Sequence, residues 1–161
     1  MQIHEGLRLG DLGYVIYLHG TLYGKEYNLD RTFEGYVAAR LGDFAIQFDP
    51  QKDFFAVVED GGDIVGSIAI NGVNEDNALL RWFLLHPDTR GKGLGKQLLN
   101  RALDFCREKN FKTVDLWTIS ELKTAAHLYR QFGFQLVEEN TKELWGGART
   151  EQRYQLHLNN V

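Results

Sequence analysis

The 161-residue chain has one cysteine, two prolines and no apolar run approaching the ~20 residues that a membrane-spanning helix needs. Cys106 alone cannot form an intrachain disulfide, and its place in an apolar helical pattern reads as a small core hydrophobe rather than a catalytic thiol. The opening residues Met1, Gln2, Ile3, His4 and Glu5 lack the basic-then-apolar order of a signal peptide, so the expected location is the cytoplasm. A basic excess is also missing. Eighteen Lys and Arg against 22 Asp and Glu give a net charge of -4, which supplies no clustered positive face for nucleic acid. No repeat, low-complexity tract or Pro- or Ser-rich linker divides the chain, so residues 1–161 are expected to form one domain. His86 has no partner ligands at metal-binding spacing, and no metal is implied.

What the chain does carry is a periodicity that changes along its length. Residues 10–48 read as helical: Leu12, Val15, Ile16 and His19, then Phe33, Val37, Leu41, Phe44 and Phe48, fall near helical spacing. Asp30 suits an N-cap for the second stretch, and residues 23–30 read as a loop rich in Tyr and charge. Residues 54–59 and 64–73 read as a hairpin around Asp60, Gly61, Gly62 and Asp63. A third strand, 79–85, is apolar almost throughout, which predicts burial on both faces. Next come a helix over 93–109, a strand over 113–118 and a helix over 121–132. Strands over 134–139 and 153–158 then flank a loop containing Trp145, Gly146 and Gly147. Strand, helix and strand across 79–118 make a crossover unit, which requires parallel pairing inside an otherwise antiparallel sheet. The fold class is mixed α/β.

After the strand the chain runs His86, Pro87, Asp88, Thr89, Arg90, Gly91, Lys92, Gly93, Leu94, Gly95, Lys96 and turns helical. Glycines at 91, 93 and 95 remove side chains that would hold a ligand off the backbone, and the first helical turn has unpaired amides with positive dipole character. Such a turn can bind a pyrophosphate. It can equally be a glycine-rich connection with no ligand. The Walker spacing fails, because no Ser or Thr follows Lys92 or Lys96; the dinucleotide spacing fails because Gly91, Gly93 and Gly95 follow G-x-G-x-G.

Arg90, Gly93 and Gly95 resemble the R/Q-x-x-G-x-G/A acetyl-CoA motif of the GNAT N-acetyltransferases. The run 125–134, with Ala125, Leu128, Tyr129, Gly133 and Phe134, resembles the family's second landmark. The order of strands and helices fits as well, so the resemblance covers essentially the whole chain. More narrowly, residues 23–30, 43–50 and 116–129 are similar to the acetyltransferase domain often fused behind a MarR-type winged-helix regulator. No winged-helix segment precedes Met1, so the chain reads as the enzyme half.

The resemblance implies a mixed, mostly antiparallel sheet flanked by helices, with a splayed central strand pair. It also implies that amides around Arg90, Gly91, Lys92, Gly93, Leu94, Gly95 and Lys96 hold the acetyl-CoA pyrophosphate, while the backbone of Leu84 and Leu85 pairs with the pantetheine arm. The acceptor would be a primary amine of a small molecule or peptide. Tyr129 would protonate the departing thiolate. In the sequence alone Tyr129 is otherwise an amphipathic Tyr packing beside Leu128 and Phe132. Glu26 is the carboxylate chosen to contact the substrate ammonium or act as base through water, or else a solvated loop charge.

Arg81 interrupts the apolar strand and must be paired or face a cleft, so it meets either a substrate carboxylate or a structural carboxylate. Trp145 beside Gly146 and Gly147 suggests a mobile flap closing over substrate, or a core-edge or homodimer contact. Leu122 stands where many relatives have Asn, leaving one hydrogen bond to the CoA arm in doubt. His127 is expected on the surface. A non-catalytic acyl-CoA sensor serving a separate regulator is the alternative reading.

Overall fold

In the computed structural model, which describes residues 1–158, the helical periodicity of the first third becomes α1 (Asp11–Tyr27) and α2 (Arg31–Ile46). A short edge strand, β1 (Gln2–Glu5), precedes them. The Asp30 carboxylate accepts the Thr32 N–H at 2.9 Å and starts α2. Two expectations are corrected by these elements. Residues 23–27 are the last turn of α1 and not a loop; Tyr23 and Tyr27, one helical turn apart, meet edge-on at 5.6 Å. The polar composition concealed that spacing. The strand β1 has too few residues to show a period, and only pairing with β2 makes it a strand.

β2 (Asp53–Asp60), β3 (Asp63–Gly72) and β4 (Asn77–Leu85) form an antiparallel meander. Gly61 and Gly62, at φ 59° and 91°, close the first hairpin in the left-handed region that a two-residue turn demands. Helices cover both faces of the sheet. Phe54, Ala56 and Val58 join a core with Leu98, Leu99 and Leu103 of α3 (Leu94–Glu108) and Ala126 and Tyr129 of α4 (Lys123–Gln131). Phe55 and Val57 join a second core with Val15, Phe33, Val37 and Leu41. Cys106 is fully buried in the first core, where burial pushes its thiol up to about 12.

A bulge in β4 organises the centre of the sheet. The β3–β4 register slips between Ser67 and Ala69, which face Leu84 and Arg81, and Trp82 adopts φ 48°. One extra residue reverses the facing of everything beyond it. Thus Ala78 and Leu80 belong to the α3/α4 core, whereas Trp82 and Leu84 belong to the α1/α2 core. The near-continuous apolar run of β4 reflects this switch of faces as well as burial between two helical layers.

The sheet order is β1-β2-β3-β4-β5-β7-β6, with β5 (Thr113–Ile119), β6 (Gln135–Leu144) and β7 (Gly147–His157) completing it. Asn77, Ala78 and Leu79 pair in parallel with Thr113, Val114 and Asp115. Beyond them β4 and β5 separate, although the strands continue to Leu85 and Ile119. The splayed central pair is therefore present.

The closing hairpin differs from its expected form. β6 and β7 extend far enough to meet at Trp145 and Gly146, whose φ values of 54° and 96° make a tight turn. That turn is pinned. The Asp30 N–H donates to the Trp145 carbonyl at 3.1 Å, and the Trp145 ring meets Phe33 at 4.9 Å and Tyr36 at 5.6 Å. Trp145 is a wall held by α2, not the tip of a long loop. No described helix is long and apolar enough to cross a membrane.

Candidate active site

Where β4 and β5 part, a cavity of about 160 Å³ opens through the sheet. Its lining comes from both faces: Phe33 and Tyr36 from α2, Arg81 and Trp82 from the bulge, Thr118 from β5 and Tyr129 from α4. Strand ends that would have paired with each other leave backbone groups free along this gap. Tyr129, Arg81 and Trp145, far apart in sequence, all line it.

Tyr129 is 5% exposed and its ring is fixed by Phe83 at 6.1 Å, Phe134 at 5.7 Å and Tyr154 at 6.0 Å. Burial raises its pKa well above the ordinary tyrosine range, with nearby Tyr23 and Tyr154 adding to the shift. The phenol therefore stays protonated at neutral pH, the state an acid needs and a base does not. The Thr118 hydroxyl is buried beside the same cavity without a hydrogen-bond partner among the described residues. Its unmet bond is available to a molecule in the cleft.

The glycine turn lies at the end of β4. A 3₁₀ turn at Pro87–Thr89, capped by His86 Nδ1 accepting the Asp88 N–H at 3.2 Å, leads into it. Gly91 and Gly93 have φ 78° and 79°, and a Cβ on either would meet nothing within 4 Å. Their glycine requirement is conformational, with open space beside the backbone. Gly95 differs, because a Cβ there would press on Leu128 at 3.3 Å and touch Leu85 at 3.4 Å and Phe83 at 3.5 Å. Among the described residues no backbone carbonyl accepts the amides of Gly91, Lys92 or Gly93. With the first-turn amides of Leu94, Gly95 and Lys96 they make a fan of free donors. The turn thus fits a pyrophosphate.

Arg90 and Glu26 meet in a way the sequence did not suggest. Arg90 Nη1 and Nη2 donate to the two Glu26 oxygens at 2.8 and 2.9 Å, and Arg90 Nε donates to the Leu85 carbonyl at 3.1 Å. This bidentate pair ties α1 to the glycine turn. Glu26 is not among the residues that line the cleft with Tyr129, and its carboxylate is engaged by Arg90.

His127 is exposed and bonded to Gln131 at 3.1 Å. Sequence reading missed several lining residues, including His19, Tyr36, Thr118 and Glu151. His19 showed only core spacing, yet its imidazole lines the cleft while Nδ1 donates to the Val15 carbonyl at 2.8 Å. Burial lowers its pKa to about 4, so the ring is neutral at pH 7 with Nε2 as the acceptor nitrogen. In the unfolded chain the same ring titrates near its ordinary value of 6.5. The unfolded state therefore binds the extra proton first, and stability is lost as pH falls from about 6.5 towards 4, by about 3 kcal/mol in all. Urea unfolding at pH 7 and pH 4.5 should show this loss, and His19→Leu should remove that part of the slope.

The model of the acetyltransferase (GNAT) family matches residues 21–134, a stretch that contains the glycine turn, the splayed strands and Tyr129. The chain belongs to the GNAT family. It is 31% identical over 93 residues to an uncharacterized N-acetyltransferase of Methanocaldococcus jannaschii, a match covering 54% of this chain and 41% of that protein. The chain thus spans less than half the length of this curated relative. An acetyltransferase structure from Streptococcus agalactiae superposes with TM-score 0.81 at 22% identity over 98% of both chains. A GNAT acetyltransferase of Elizabethkingia anophelis, solved with acetyl-CoA bound, superposes with TM-score 0.67 at 12% identity, covering 98% of this chain and 97% of that one. These likenesses establish the fold.

Proposed function

We propose that residues 1–161 act as one cytoplasmic acetyltransferase domain that moves the acetyl group of acetyl-CoA to a primary amine of a small molecule or peptide. The observation that carries this reading is the protonated Tyr129 phenol on the wall of the β4/β5 gap, in a fold whose glycine turn offers free amides at the end of the same strand. The same fold holds acetyl-CoA in the Elizabethkingia anophelis protein.

In this reading the amides of residues 91–96 hold the pyrophosphate, and Lys92 and Lys96 add positive charge. The backbone of Leu84 and Leu85 then guides the pantetheine arm into the gap where β5 has left β4. The neutral amine attacks the thioester carbonyl carbon, forming C–N as C–S breaks. The electron pair leaves on sulfur, which takes the Tyr129 proton, and the proton shed by the amine nitrogen passes to water and restores the phenol. Holding both reactants in one gap can contribute on the order of 7–11 kcal/mol in the best cases.

Glu26 is best read as a positioning residue for Arg90, with the ammonium proton lost through water. A half-exposed ion pair contributes about 0–1 kcal/mol, so Glu26→Gln should shift the melting temperature only slightly. It should raise KM for acetyl-CoA more than it lowers kcat. A kcat loss of about 100-fold or more with unchanged KM would instead restore the base role.

Thiol release from acetyl-CoA, followed with a thiol reagent across polyamines, amino acids, aminoglycosides and peptide amines, tests the activity. Tight acetyl-CoA binding without release against any amine would sink it.

A further inference from the structure

The β4 bulge does more than open the sheet. Normal alternation would send residues 81 and 82 to opposite faces, but the register slip brings both towards α2. Arg81 Nη2 donates to the Tyr36 hydroxyl at 3.4 Å, and Trp82 packs against Phe44 at 5.2 Å. The guanidinium carbon lies over the Trp82 ring, 4.4 Å from its centre, a cation–π contact that fixes the position of the fork.

Two charged side chains, Arg81 and Glu151, line the cavity. Glu151 already receives the Lys142 ammonium at 2.8 Å. Arg81 has no carboxylate partner among the described residues, and the exposed Arg40 guanidinium close by makes its surroundings more positive. Asp43 and Asp53 share a second, smaller pocket with Arg81, yet neither pairs with it: Asp53 is occupied by amide donors from Asn71, Gly72 and Asp49, and Asp43 is exposed. A half-buried guanidinium with unfilled donors is unfavourable unless an anion meets it.

We infer that the acceptor is an amine that also bears a carboxylate, with Arg81 gripping that carboxylate while the amine faces the acetyl group beside Tyr129. The inference rests on the acetyltransferase reading and narrows it. Phe33, Tyr36, Trp82 and Trp145 provide an aromatic surround for the acceptor's apolar body. This favours amino acids over polyamines, whose multiple positive charges would meet Arg81 unpaired.

The test compares matched acceptors on the intact protein: amino acids, their carboxamides, and the amines lacking the carboxyl group, with spermidine as the cationic alternative. Thiol release should give kcat/KM about 10–100-fold higher for the carboxylates, as expected of a charge-assisted hydrogen bond. Arg81→Gln should collapse that ratio towards one, chiefly through KM, and Arg81→Lys should restore part of it. Because the comparison among acceptors works in the unmutated protein, misfolding of a variant cannot hide the answer.

Binding separates this inference from the activity it rests on. Fluorescence of the tryptophans lining the cleft, read with CoA present, should show N-acetyl amino acids binding at least about 10-fold tighter than their amides. If no amine releases thiol but this binding preference holds, the transfer reading fails and the carboxylate site stands. If neutral or polycationic amines are the best acceptors, or acid and amide bind alike, the inference is overturned.

Discussion

Replacing Tyr129 by Phe is expected to lower kcat by about 10²–10⁴-fold while changing acetyl-CoA affinity by less than about threefold. The asymmetry has a geometric cause. The ring is packed among Phe83, Phe134 and Tyr154, and Phe preserves those contacts. Burial and the nearby Tyr23 and Tyr154 account for the shift of the Tyr129 phenol, with no hydrogen bond among its causes, so removing the hydroxyl should leave no orphaned partner and the fold unchanged. What disappears is the proton donor. Stopped-flow thiol release gives the rate and calorimetry the acetyl-CoA Kd. Unchanged turnover would remove Tyr129 from the chemistry, whereas loss of affinity with normal turnover would leave it a binding wall.

Gly93→Val should weaken acetyl-CoA binding by at least about 30-fold, close to 2 kcal/mol, with a folded and soluble protein remaining. At φ 79° a side chain is strained by roughly 1–2 kcal/mol, but its Cβ would meet no protein atom within 4 Å. The side chain would instead occupy the open face over the free amides. Gly95→Val should behave differently, since its Cβ would already touch Leu128, Leu85 and Phe83 and the two further methyls would overpack that contact, so the melting temperature should fall as well. Gly61→Ala in the β2–β3 hairpin, with φ 59°, is the control for backbone strain alone. It should lose stability without affecting acetyl-CoA. If Gly93→Val binds normally, the free amides are not the pyrophosphate site.

Local features were well marked in the sequence. The capping Asp30, the Gly61 and Gly62 turn, the amphipathic stripes of α3 and α4 and the phosphate-type glycine turn depend on neighbours within a few residues. A single chain segment therefore displays them. The extended last turn of α1 was hidden because Tyr23, Glu26 and Tyr27 are polar or amphipathic. β1 was hidden because four residues show no period. The closing hairpin is longer than its periodicity suggests, because its β6 strand is exposed almost throughout and lacks the alternation that half-burial imprints.

The candidate site divides the same way. Arg90, Gly93 and Gly95 fall within six residues, and with Tyr129 and Gly133 they carried the resemblance to the family whose model matches residues 21–134. The partnership of Glu26 with Arg90 across 64 positions left no local trace. Nor did the gathering of His19, Thr118 and Glu151 around one cleft. The sequence by itself determined the mixed α/β class, the helical and strand segments and the anion-ready turn, because these arise from backbone chemistry and short-range periodicity. Only the tertiary structure decided that β4 and β5 part after three paired residues and that a bulge turns Arg81 and Trp82 to the same side. It alone decided, too, that Glu26 pairs with Arg90. Those outcomes depend on which distant groups compete for each donor and each face, and that competition is settled only when the layers pack.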